Sequence, residues 1–146
     1  MRQTTAIGIR TLACGALMFA SLTAHAQDIP NLVGTWKGSA KAVFTGSNPY
    51  RVQENNNANF GDNIVEFIFD VKEQRDSRFA GELTTGKFKE SFIGALQPPN
   101  FRTGLFLDHD GEYSFTMRDT TTIDLCYRHI NPTSRVVACY SATKQP

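Results

Sequence analysis

Residues 108–112 (Asp-His-Asp-Gly-Glu) put three carboxylates and an imidazole within five positions, the densest group of ligating side chains in the chain. Asp108, Asp110 and Glu112 alternate, so a metal site would have them share a strand face or converge in a turn. Calcium, however, wants six to eight oxygens from a longer loop. Asp110-Gly111 is a strong hairpin signal, and the group reads as a charged hairpin end with no metal. His109 and His129 are the histidines beyond residue 26, and neither has H-x-H or H-E-x-x-H spacing. With no C-x-x-C pair either, a zinc site lacks ligands. No serine lies in a G-x-S-x-G elbow, and G-x-G-x-x-G and phosphate-loop motifs are absent. Neither enzyme activity nor a cofactor is expected. His129 falls on an inward face near a strand end, beside Tyr127, where it reads first as a hydrogen-bonded structural histidine at a barrel rim, and otherwise as a general base or a ligand-orienting group.

The remaining chemistry is sulfur. Cys14 lies in an N-terminal segment with the anatomy of a secretory signal peptide, residues 1–26. Arg2 and Arg10 supply its basic part, residues 11–22 are apolar, and Ala24-His25-Ala26 is an A-x-A cleavage site. The apolar stretch is too short to span a bilayer, and no other run approaches a span. Most of it follows Cys14, which argues against a lipid anchor on that cysteine. Residues 27–146 remain as a single domain, expected in the periplasm or outside the cell. Losing Arg2 and Arg10, with no acid in the segment, takes the formal charge from +1 to −1. A near-neutral chain does not favour nucleic acid or an anionic membrane as partner. Cys126 and Cys139 are the two cysteines left, and in an exported domain they read as a disulfide.

These groups are carried by strands, because the dominant period is two. Residues 32–44, 63–74, 79–85, 88–96, 103–108, 112–118, 121–129 and 135–143 alternate or run apolar, and turn residues separate them. Between the last two, Asn131-Pro132-Thr133-Ser134 is a turn. Centring it between Pro132 and Thr133 sets Cys126 opposite Cys139, Leu125 opposite Tyr140, Tyr127 opposite Ala138 and His129 opposite Val136. Directly opposed residues lie within disulfide reach. The cysteines share their face with Asp124, Arg128 and Arg135, so the bridge is expected outside. Residues 45–62, rich in Asn, Gly and Pro, read as a long surface loop that could act as a lid. Eight strands without a helix close most naturally as an all-β, eight-stranded antiparallel up-and-down barrel, since closure removes both edges. A two-sheet sandwich is the other architecture.

Leu32-Val33-Gly34-Thr35-Trp36-Lys37-Gly38 resembles the first strand of small secreted barrels, the avidin and lipocalin-like group. There a G-x-W stretch sets a tryptophan at the closed end. Phe79-Ala80-Gly81-Glu82-Leu83-Thr84-Thr85 is similar to an avidin-type third strand. The resemblance implies a barrel. Avidin-like biotin sites are walled by several tryptophans and this chain has one, so it implies no biotin pocket.

The inward positions hold Trp36, Tyr113, Tyr127, Tyr140 and several phenylalanines, beside Gly38, Ala40 and Ala42 on the first strand. Small residues next to tyrosines point to an apolar cavity with a few polar handles. The expected ligand-binding set is Trp36, Tyr113, Tyr127, His129 and Tyr140, around a small apolar molecule. Alternatively the rings fill the space the small residues leave, and a barrel with no cavity above about 100 Å³ would hold no ligand of ordinary size. Two further roles are open: a protein-binding module, such as an inhibitor of an envelope hydrolase contacting its partner through residues 45–62 or 97–102, and a structural envelope protein. The outward faces read as well charged, so a monomer or dimer is expected.

Overall fold

The computed structural model describes residues 28–47, 56–86 and 88–146. The expected signal peptide and Cys14 lie outside these residues, as does part of the 45–62 loop. Among the described residues, ten strands form one antiparallel sheet: β1 (Gly34–Ala40), β2 (Val43–Gly46), β3 (Asn59–Phe60), β4 (Val65–Arg75), β5 (Arg78–Thr85), β6 (Phe88–Gln97), β7 (Thr103–Leu107), β8 (Gly111–Met117), β9 (Thr122–Ile130) and β10 (Ser134–Lys144). From β4 onward each strand pairs with the next, and β1 pairs with both β4 and β10, which closes the sheet. β1 and β2 are one strand bent at residues 41–42. Both pair with β10, β1 through residues 142–144 and β2 through residues 134–137. The barrel therefore has eight staves.

Loop 45–62 is shorter than its composition predicts. Thr45 and Gly46 belong to β2, and β3 adds to the outer edge of β2 through Val43↔Phe60 and Phe44↔Asn59. The last hairpin has the expected register, with Cys126↔Cys139, Leu125↔Tyr140, Tyr127↔Ala138 and His129↔Val136. Cys126 and Cys139 are bridged across it on the outer face, their Cα atoms 4.1 Å apart.

Two features shape the interior. At one end, a bulge between Val71 and Glu73 shifts the β4–β5 register. Gln74 then accepts the Leu32 N–H (2.7 Å) and donates to the Pro30 carbonyl (2.9 Å), tying the entering chain across the barrel floor. Trp36 closes the same floor, its indole N–H bonded to the Leu32 carbonyl at 2.8 Å. Above it, phenylalanines pack edge to face. Phe69 lies 5.2 Å from Phe106, which stacks on Tyr113 at 4.4 Å. The rings fit because cross-strand glycines make room. A Cβ on Gly94 would sit 2.4 Å from Phe79, one on Gly104 2.6 Å from Phe115, and one on Gly38 2.7 Å from Tyr140. Such glycine–aromatic pairing is a known device of curved sheets. Gly38 is thus not spare room for a ligand, because the ring of Tyr140 occupies it.

The outer surface departs from a uniformly charged one. Ile93 and Ala95 of β6 pair with Leu107 and Leu105 of β7 and leave an exposed apolar strip. The alternation of these strands holds, but their outward positions are not polar.

Candidate functional site

The end opposite Trp36 is open and incompletely filled. Here β2 leaves β4, the end of β5 reaches the rim at Thr85, and the turns at residues 108–110 and 131–133 meet through His129. A cavity of about 90 Å³ opens between Ala42, Phe67, Leu83 and Ala138, with Tyr113, Tyr127 and His129 also on its walls. It falls below the roughly 100 Å³ mark, so the barrel does not enclose a ligand of ordinary pocket size. The alternative of rings filling the interior holds for the closed half. Of the expected ligand-binding residues, Tyr113, Tyr127 and His129 line this cavity. Trp36 belongs to the floor, with Lys144 Nζ 5.4 Å from its ring centre. Tyr140 is not part of the lining. It stacks on Phe67 at 4.7 Å, and its buried Oη has no hydrogen-bond partner among the described residues. Burial pushes its phenol well above the usual range, helped by Asp108 and Tyr127.

The lip of the cavity is acidic. Glu90 and Asp108 line it, and with Asp110 they bring one carboxylate oxygen each within 4.8 Å of one another. All three are half-buried. The charged hairpin end therefore turns partly inward, and the 108–112 cluster is regrouped. Glu112 instead turns outward to Arg128 at 2.7 Å, and Glu90 from β6 takes its place. Glu90 was legible: it lies two residues before Phe92 on the inward face of β6, as Asp108 lies two residues after Phe106. Asp108 Oδ1 accepts the N–H groups of Gly111 (2.6 Å) and Asp110 (3.1 Å), which fixes the hairpin end. Desolvation by burial nevertheless raises the Asp108 carboxyl above its usual range. Its two backbone hydrogen bonds oppose the rise, while the charges of Glu90 and Asp110 add to it. Tyr127 donates to Asp110 at 3.4 Å. Among the described residues, no lysine or arginine lines the cavity.

His129 is buried and its ring is fully engaged. Asn131 Oδ1 accepts the N–H groups of Thr133 (2.9 Å) and Ser134 (2.7 Å), so the amide Nδ2 points at His129 Nε2, 2.9 Å away. An amide nitrogen only donates, so Nε2 accepts and Nδ1 carries the hydrogen. Nδ1 then donates to the Asp110 carbonyl at 2.9 Å, and Ser134 Oγ lies 2.9 Å from Nε2. His129 joins the 108–110 turn to the 131–133 turn. It positions the lip, and both its nitrogens are already bonded within the protein.

No protein-family model and no curated protein matches the chain. Among solved structures, an S-type phycobiliprotein lyase from Guillardia theta is similar at TM-score 0.35 and 10% identity, over 79% of this chain and 89% of that one.

Proposed function

We propose that this protein is an exported barrel that binds a small ligand, or one end of a longer one, at its open mouth. The observation that carries this is the half-filled interior: apolar walls of Ala42, Phe67, Leu83 and Ala138 under a lip made by Glu90 and Asp108. An apolar body with few polar groups is the usual make-up of a ligand pocket. The size limits what enters to a few heavy atoms, and the acidic lip favours an end that donates hydrogen bonds or carries positive charge. A short alkyl amine has both properties. At a ceiling of about 1.5 kcal/mol per heavy atom, a five-atom ligand binds no tighter than about 3 μM. Anything tighter would have to extend through the mouth. Export is supported by the leader-like residues 1–26 and by a disulfide that needs an oxidising compartment.

A methyl-detected NMR titration with a short primary amine tests the reading. Shifts are expected at Ala42, Val65, Leu83 and Ala138, and not at Val71 or Ile123 on the closed floor. Ala138→Leu, which fills the cavity, should abolish them. Shifts spread evenly over the barrel, or unchanged in the variant, contradict the proposal.

A further inference from the structure

We infer that the outer face of β5–β7 is a contact surface between two copies of this chain. Ile93, Leu105 and Leu107 are 66%, 48% and 43% exposed, and strand pairing makes them contiguous with Ala80 and Ala95. Isolated exposed apolar residues are ordinary, whereas a contiguous group on one sheet face marks an interaction site. The face is hollow as well as apolar. A surface groove of about 570 Å³ runs over it, with the small Ala80 and Ala95 beside the large Ile93, Leu105 and Leu107. A second copy laid face to face can set its large side chains over the small ones.

Charge points to the same occupant. On the β4–β5 flank, Arg75 lies 3.7 Å from Glu73 and Arg78 lies 3.4 Å from Asp76. On the β8 flank, Glu112 pairs with Arg128, and Glu112 stands directly opposite Leu107. A two-fold contact brings each flank against either itself or the other flank. Both flanks carry both signs, so acids can meet bases in either arrangement. A nucleic acid or an anionic membrane would require one dominant positive sign instead. An apolar centre with a mixed polar rim is also how protein interfaces are built.

Sedimentation equilibrium of the disulfide-bonded chain from micromolar to millimolar concentration tests this. A reversible dimer is expected, and Leu105→Lys or Ile93→Lys should each raise its dissociation constant at least tenfold. Both side chains point outward, so the variants should melt with the wild type. As a second readout, dilution of the wild type should shift the Ile93, Leu105 and Leu107 methyl signals and leave those of Ala42 and Ala138 in place. A chain that stays monomeric at millimolar concentration overturns the proposal, whatever other protein binds this face. So does a dimer that both lysine variants leave intact.

Discussion

Single side chains at the mouth carry sharply opposed demands. Asp108 must accept two backbone N–H groups to hold its turn, yet burial and two neighbouring acids disfavour its charge. Its folded pKa is raised, so the folded state binds more protons than the unfolded one between pH 3.8 and that raised value. Stability from this group therefore falls as pH rises through the window and stays lower above it. Asp108→Asn keeps an oxygen for the turn and removes the charge. The variant should match the wild type below pH 3.8 and be the more stable protein at neutral pH, as read by thermal melts across pH. Tyr140 offers a second test, because a buried hydroxyl without a partner costs about 1–3 kcal/mol. Tyr140→Phe should raise the unfolding free energy by about 1 kcal/mol in urea titrations. Destabilisation would mean that the Oη has a partner.

The elements were largely legible because a strand's period of two is written directly into side-chain type. Residues 32–44 show this, as do the 121–129 and 135–143 hairpin strands. There one turn, Asn131-Pro132-Thr133-Ser134, fixed the register of nine residue pairs, the two cysteines among them. The bridge closes a segment with a sequence separation of 13, so reduction or a Cys126→Ser/Cys139→Ser pair should cost about 3 kcal/mol. Little change in the denaturation midpoint would count against a stabilising role. What alternation could not reveal was how the interior divides. Gly38, Ala40 and Ala42 look alike as small inward residues. Only the three-dimensional path of Tyr140 shows that Gly38 is filled while Ala42 borders open space. The glycine–aromatic pairs give a prediction of their own. Gly94→Ala must push against both Phe79 and Phe106, and should destabilise by about 1–3 kcal/mol.

At the scale of the whole molecule, the barrel has two unlike ends. One is sealed by Trp36, Leu32 and the Gln74 tie, over a packed stack of phenylalanine rings. The other stays open because the bent first strand, β1 and β2, turns away, while the buried His129 network holds two turns at its rim. The mouth was harder to read from sequence. The inward side of Glu90 and Asp108 follows from alternation with Phe92 and Phe106, but that the antiparallel pairing of β6 with β7 brings them to the same end of the barrel, beside Asp110, shows only in three dimensions. The central claim is that this mouth takes a small ligand bearing a donor or positive end. It is tested most directly by calorimetric titration of wild type and Asp108→Asn at neutral pH with three four-carbon compounds: a primary amine, an alcohol and a carboxylate. The account predicts that the amine binds best and the carboxylate not at all, and that the asparagine variant loses most of the amine's advantage over the alcohol. Amine binding should also weaken as acid protonates Asp108, starting at a higher pH than an ordinary aspartate would set. Equal binding of all three, preference for the carboxylate, or no heat from any of them would contradict it.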